Sequence, residues 1–513
     1  MNNTFKMLLG AGFAVAVGFY ANSIIGQATH GGFLVLAAIF GAYMAMNIGA
    51  NDVANNVGPA VGSGALTIGG AIVIASIFEA SGALIAGGDV VGTIKKGIID
   101  PAAFGGDPMT FVYAMSSALL AAALWLNLAT WLKAPVSTTH SIVGGVLGGG
   151  IAAGGFSIIS WGTMGKIAAS WVISPVLGGV IAAIFLYIIK SQIMYKEDKL
   201  SAAKKIVPIL VAVMAAAFIT YLTLKGLKKV WPVIVETLSF LPQTKKPSLF
   251  IALILGMLGA MITYIIVKPK IAKRILGLDD SRASINLLFT IPLIFAAALL
   301  SFAHGANDVA NAVGPLAAVN DALVHLSISK KAAIPLWVMI VGGLGISLGL
   351  ALFGPRLIKT VGTEITELDQ MRAFSIMMAA SITVVIASQL GLPVSSTHIA
   401  VGAIFGVGFL REWLDSKELG PKQAKLQIEI KKQESLKLEL SEHKTTDDYK
   451  KQVELLSSLK IQKKKVKILK KTLRETYVKR GMVKKIVAAW VITVPAAAIL
   501  SVIIFYVIKG FAV

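Results

Sequence analysis

Apolar and polar positions along this chain fall into long blocks. Nearly uncharged runs cover residues 33–48, 68–87, 109–132, 167–189, 206–224, 249–267, 285–303, 332–353, 373–392 and 486–508, and another covers 6–26. Roughly 18 or more apolar residues cross about 30 Å of hydrocarbon as a helix. The shorter runs cross with tilt or local thinning of the bilayer. Unpaired backbone groups are not tolerated in lipid, so helices are the economical form, and barrel strands would be shorter and would alternate. The pattern predicts an all-α polytopic membrane protein embedded in a lipid bilayer, the cell membrane. The first run shows no small-residue cleavage site and reads as a retained helix.

The blocks also repeat. Gly49-Ala50-Asn51-Asp52-Val53-Ala54-Asn55-Asn56-Val57-Gly58-Pro59 recurs as Gly305-Ala306-Asn307-Asp308-Val309-Ala310-Asn311-Ala312-Val313-Gly314-Pro315, identical at ten of eleven positions. Pro135-Val136-Ser137-Thr138-Thr139-His140 recurs as Pro393-Val394-Ser395-Ser396-Thr397-His398. The two motifs stand 86 residues apart in the first half (Asn51 to Ser137) and 88 in the second (Asn307 to Ser395). A helix opening on Trp171 closes the first repeat, and one opening on Trp490 closes the second. A period of half the chain indicates a duplicated transporter-like fold. The organisation is a first transmembrane half (1–189), a connecting loop with central helices (190–284), a second half (285–411 and 484–513) and a polar insert (412–483).

Charge orients the halves. The chain carries +22 in all, much of it within residues 411–485, a segment too polar to cross and therefore cytoplasmic. The run 486–508 then leads outward. Its counterpart 167–189 ends in Lys190, Lys196, Lys199, Lys204 and Lys205, which read as cytoplasmic, so it leads inward. Equivalent helices pointing opposite ways make an inverted-topology repeat with a solute site near mid-membrane. Lys225, Lys228, Lys229, Lys245 and Lys246 fall outside on this map, against the rule.

Composition adds exclusions. Residues are 56% hydrophobic and only 14% charged, against about 25% charged in soluble domains. Lysine marks loops here, and nucleic acid is not a partner. With no cysteine, disulfides, thiolate metal sites and cysteine catalysis are out. No nucleotide-binding loop, nucleophile elbow or paired catalytic carboxylates with a histidine occur, so the chain is not read as an enzyme or an ATP-driven pump.

The candidate chemistry lies in the repeated motifs. An aspartate at bilayer depth is functional by default. Gly and Pro bracket the Asn-Asp element, so a broken helix is expected there, lining a cavity. Asn51, Asp52, Asn307 and Asp308 offer hard oxygen ligands suited to Na⁺, with Asn55 and Asn311 one turn on along the same face. In the second motif, hydroxyls stand where a helix begins and a glycine-rich run follows. A helix N-terminus is a ready anion site. Ser137, Thr138 and Thr139, with Ser395, Ser396 and Thr397, form a cradle of neutral donors for one tetrahedral oxyanion, and they also suit ordinary capping. No Lys or Arg lies in an apolar run near these motifs, so a co-bound cation is the natural counter-charge. Glu79 is a further buried acid and candidate cation ligand, with none near Gly343 in the other half. His304 replaces Ile48 and reads as structural. Metal binding by His140 and His398 is not supported by neighbouring ligands.

At these residues the sequence resembles the PiT family of inorganic phosphate transporters. The resemblance rests on 49–59, 305–315, 135–140 and 393–398 and covers the membrane part. It implies import of inorganic phosphate by symport with a cation, Na⁺ in some members and H⁺ in others, with no cofactor beyond the co-transported ion. The insert departs from members whose main polar loop separates the halves. Within it, Gln452, Leu455, Leu459, Gln462, Val466, Leu469 and Leu473 form a heptad seam. Leu426, Ile428 and Ile430 also alternate like a strand. The reading is a helical hairpin, either a packed cytoplasmic unit or a homodimer contact. The residues alone leave open a sulfate symporter, a cation channel lined by the aspartates, and a membrane enzyme acting on phosphate esters.

Overall fold

A computed structural model describes residues 2–25, 30–100, 104, 107–132, 134, 136–228, 230–238, 241–326, 334–364, 368–417, 421–442, 449–477 and 480–512. Pro135, Lys229 and residues 443–448 of the insert lie outside the described residues. The first half comprises α1 (Asn3–Ile25), α2 (Gly31–Asn51), α3 (Val53–Gly62), α4 (Ile68–Ala86), α5 (Gly88–Lys96), α6 (Pro108–Trp131), α7 (Thr138–Gly154) and α8 (Trp161–Ile189). Then come α9 (Lys199–Gly226), α10 (Trp231–Thr237), α11 (Leu249–Ile275) and α12 (Arg282–Leu288). The second half holds α13 (Thr290–His325), α14 (Leu336–Phe353), α15 (Pro355–Glu364), α16 (Gln370–Gln389) and α17 (Ser396–Lys417), is interrupted by α18 (Pro421–Glu442) and α19 (Tyr449–Tyr477), and ends with α20 (Arg480–Ala512). Among the described residues 11 helical segments are long and apolar enough to cross a membrane. Polar caps start several helices: Thr67 accepts from Gly70 N–H, Asp107 from Met109 N–H and Asp369 from Arg372 N–H.

Close glycine contacts fix how the halves meet. A Cβ on Gly305 would lie 2.2 Å from the Glu79 carbonyl oxygen, and one on Gly82 would lie 2.0 Å from that of Phe302. A Cβ on Gly49 would lie 1.9 Å from the Ile346 carbonyl oxygen, and one on Gly349 would lie 1.9 Å from that of Met46. Backbones approach this closely only where the side chain is absent. Both contacts recur with equivalent partners, since Phe302 and Met46 each stand three residues before the motif glycine. Thus α4 lies on α13 as α14 lies on α2, and Gly82 corresponds to Gly349. These equivalent helices, α4 and α14, run antiparallel. Ser76 and Ser347 exchange hydroxyl-to-carbonyl bonds, and positions Gly343 and Gly87 sit against Ala80 and Met339 respectively. The same reciprocity joins α7 to α20 and α17 to α8: Gly144 meets Val494 and Gly148 meets Ala498, while Gly402 meets Pro175 and Gly406 meets Gly179.

The expected helix break is displaced. In the first Asn-Asp element the chain turns only at Asp52, whose φ of −81° and ψ of −36° stay helical and whose N–H still reaches Ile48 O at 2.9 Å. The second element lies inside α13, uninterrupted through Asp308 and Pro315. The Asn51 and Asn307 amides are satisfied by segments distant in the chain, so the backbone has no need to open to serve them. The interruption falls instead at the hydroxyl motifs, between α6 and α7 and between α16 and α17.

The insert is helical, with no strand at 426–430. Buried Leu455, Leu459 and Val466 of the seam face α18, and Gln462 and Lys465 bond Glu429. Two of the five lysines that defied the charge rule find a partner. Lys225 and Lys228 both pair with Asp89 of α5, the latter at 2.8 Å. Burial pushes Asp89 up, but these two ammonium groups outweigh it and hold the carboxyl below its ordinary value.

Candidate transport site

The N-termini of α7 and α17 abut. Thr139 Oγ1 donates to Val394 O at 2.9 Å, and the His140 and His398 rings stand 4.4 Å apart. Each histidine also packs on a tryptophan of its repeat's closing helix, His140 on Trp171 and His398 on Trp490; neither tryptophan opens its helix as the sequence suggested, since α8 begins at Trp161 and α20 at Arg480. The role of the two histidines here is aromatic packing. Ser137 caps α7 by accepting from His140 N–H at 3.1 Å, and Ser395 does the same for His398 N–H at 3.2 Å. Capping uses each oxygen as acceptor and leaves its hydroxyl proton to give. The first amides of both helices have no carbonyl a turn behind them, so two positive helix ends converge on one place.

Two short segments lead into these helix ends, and the motif asparagines hold them. Asn51 Nδ2 donates to Thr130 Oγ1 (2.9 Å) and Ala134 O (3.3 Å), and its Oδ1 accepts from Val136 N–H. Asn307 repeats this with Ser388 (2.9 Å), Leu392 O (3.2 Å) and Val394 N–H. Both amides are thus engaged in clamping the segment before the hydroxyls, a task separate from the Na⁺ ligation expected of them.

The acids face the hydroxyls directly. Asp52 accepts from Thr138 Oγ1 and from Thr397 Oγ1 of the other half, both at 2.6 Å. Thr138 Oγ1 also lies 3.4 Å from Asp308 Oδ2, and Ser396 Oγ lies 3.3 Å from the same oxygen. One hydroxyl therefore stands between two carboxylates, each 0% exposed. Asn55 donates to Thr397 at 2.8 Å, and Asn311 donates to Thr138 and Thr139 at 3.1 and 3.2 Å. Asp308 Oδ1 and Asn311 Oδ1 are buried acceptors with no hydrogen-bond donor among the described residues. Uncompensated acceptors beside paired carboxylates suit a cation. All six cradle hydroxyl residues are at most 2% exposed, so the site is closed to both sides.

His304, read from sequence as structural, joins two acids. Its Nδ1 lies 2.7 Å from Glu79 Oε2 and its Nε2 lies 2.8 Å from Asp308 Oδ2. One ligand atom each from Asp52, His304 and Asp308 lie within 4.8 Å of one another. Asn56 donates to Glu79 Oε1 at 2.9 Å. Glu79 corresponds to Ile346, three residues before the equivalent glycine, and His304 to Ile48. Asn56 corresponds to Ala312, the single mismatch in the eleven-residue motif. The three departures from symmetry form one polar cluster drawn from both halves, whose equivalents Ile346, Ile48 and Ala312 are all apolar. That coincidence was the signal available in the sequence, together with the placement of His304 one turn before Asp308.

Comparison with known proteins gives the family. Residues 48–501 match the model of a phosphate transporter family. A "Putative phosphate permease" of Helicobacter pylori strain J99 is 49% identical, covering 98% of this chain and 95% of that protein. One from Pyrococcus abyssi is 38% identical over 74% of this chain and 89% of its own length. A solved structure described as "The sodium-dependent phosphate transporter" superposes with a TM-score of 0.71 at 31% identity, over 93% of this chain and 99% of that one. The duplicated helices, the paired buried acids and the facing hydroxyl helix ends are thus those of a multi-pass membrane protein that belongs to the phosphate transporter family.

Proposed function

We propose that this protein imports inorganic phosphate by symport with Na⁺. The observation that carries the coupling is the single Thr138 hydroxyl lying against both Asp52 and Asp308. A phosphate held by the hydroxyls of Ser137, Thr138, Thr139, Ser395, Ser396 and Thr397 would sit beside two carboxylates. Like charges at that distance repel by several kcal/mol at an effective dielectric near 20 (about 4 kcal/mol at 4 Å). The anion therefore binds well only together with cations held by Asp52 and Asp308, with Asn55, Asn311 and Glu79 in reach. The same dependence disfavours a cation channel, in which phosphate has no part. The sodium dependence of the transporter on which this chain superposes supports Na⁺ as the coupling ion.

The basic insert and the Lys190–Lys205 segment set the orientation, with both on the cytoplasmic side. On that map α13 runs outward, and Asp321 and His325 lie toward the exterior, as do Asp89 and Lys95 of α5.

The test is linkage between ligands. Phosphate titrated calorimetrically into detergent-solubilised protein binds about 5–150-fold more tightly in Na⁺ than in choline, the range of ordinary coupling energies. Equal affinities in both salts contradict Na⁺ symport. The Glu79–His304–Asp308 connection favours a second reading, H⁺ coupling; in that case phosphate affinity follows pH while ignoring Na⁺.

A further inference from the structure

The hydroxyl cradle and its acids account for the closed centre of the molecule but leave a deeply buried cation near it unused. Lys95, at the end of α5, is 2% exposed, and its Nζ lies 3.1 Å from Asp321 Oδ2 near the end of α13. The side chains of the two are 3% and 5% exposed, and half-exposed His325 lies 3.0 Å from the other Asp321 oxygen. The pair is close to the site. Lys95 N lies 3.6 Å from where a Cβ on Gly314 would sit, and Gly314 follows Asn311 by three residues. The helix carrying Lys95 also touches the cradle. Thr93 Oγ1 donates to Gly391 O at 2.7 Å, just ahead of Pro393 and the second hydroxyl cluster.

Symmetry marks this pair as particular to one side. Gly87, before α5, corresponds to Gly354, before α15, so position 95 corresponds to Gly362. Asp321 corresponds to Ala65. The equivalent place at the other end of the molecule therefore lacks both charges. A buried ion pair seldom adds stability over apolar packing, but removing one partner strands a charge. Such a pair is suited to a contact that must break and reform.

We propose that Lys95 and Asp321 form the exterior latch of the carrier, and that incoming phosphate opens it by taking the place of Asp321 on the Lys95 ammonium. Phosphate offers the lysine the same kind of anionic oxygen as the carboxylate does. Exchange lets α5 part from α13 without ever leaving Lys95 unpaired. Release of α5 is felt at Gly391, beside the cradle. The phosphate chemistry rests on the symport reading; the latch does not.

The chain has no cysteine, so one introduced thiol is the sole target for a membrane-impermeant maleimide. Ala318, 1% exposed and three residues before Asp321 on α13, serves as the reporter position. In right-side-out vesicles without phosphate or Na⁺, Ala318→Cys is labelled slowly. Adding Lys95→Gln or Asp321→Asn raises the rate by roughly tenfold through a shift toward the open population. The charge swap Lys95→Asp with Asp321→Lys restores slow labelling, which a merely misfolded variant would not do. Saturating external phosphate with Na⁺ speeds labelling of the parent but not of the Lys95→Gln protein. Rates unchanged in both single variants, or raised only in inside-out vesicles, overturn the latch. A parent rate indifferent to phosphate overturns the exchange. Because the first comparison contains no phosphate, its failure is distinct from failure of the transport reading.

Discussion

Asp52→Asn and Asp308→Asn each reduce Na⁺-driven phosphate uptake to background. Asparagine keeps the size of aspartate and one acceptor oxygen, so the Thr138 and Thr397 hydroxyls still find partners around position 52. What disappears is a full negative charge in a wholly buried place. At about 4 Å and an effective dielectric near 20, one charge attracts a cation by about 4 kcal/mol, equivalent to roughly a thousandfold in affinity. A phosphate left beside one carboxylate with no bound cation gains nothing in return. The two variants differ in their surroundings. Position 308 also faces His304, which then pairs with Glu79 alone, whereas position 52 has no imidazole within hydrogen-bonding reach among the described residues. Uptake into vesicles, with size-exclusion profiles to establish folding, checks the outcome. Wild-type Na⁺-dependent uptake by either variant removes that acid from the coupling site.

The second large effect belongs to the hydroxyls that begin α7 and α17. Ser137→Ala or Ser395→Ala weakens phosphate binding by roughly tenfold to over a hundredfold, the cost of a donor to a charged group at about 1.5–3 kcal/mol. Both serines also cap their helices, and loss of a cap alone costs about 0.5–2 kcal/mol of stability. The two roles separate in measurement. Capping alone lowers Tm and leaves phosphate affinity unchanged. The cradle role lowers phosphate affinity while Na⁺ binding measured alone is retained. Unchanged phosphate affinity in both variants places the anion away from these hydroxyls.

Much of this is legible in the sequence because the duplication supplies its own check. A lone Asn-Asp pair in an apolar run has many explanations, but two in register with two hydroxyl clusters point to one symmetric site. The helices start at the hydroxyls as the motifs suggest, and Asp52, Asn55 and Asn311 bond to those hydroxyls. The backbone break does not follow from the motif, because satisfaction of Asn51 and Asn307 comes from Thr130 and Ser388, some eighty residues away in the chain. No local rule reads such partners. The role of His304 is hidden for a related reason. Taken singly, each departure from the repeat has a bland explanation, and only the close approach of α4 to α13 at Gly305 shows that Glu79, Asn56 and His304 are one group. Lys95 carries no signal of its own, because it stands between hydrophobic runs and its partner lies on a distant helix.

The coupling of phosphate movement to a cation gradient is the central claim. Protein reconstituted into liposomes, supplied with labelled phosphate outside and tested with an inward Na⁺ gradient or with equal Na⁺ on both sides, measures that dependence directly. The expected result is accumulation above equilibrium only with the gradient, and its collapse when an ionophore dissipates Na⁺. Accumulation that is the same with and without the gradient, or Na⁺ flux that proceeds unchanged when phosphate is omitted, contradicts it.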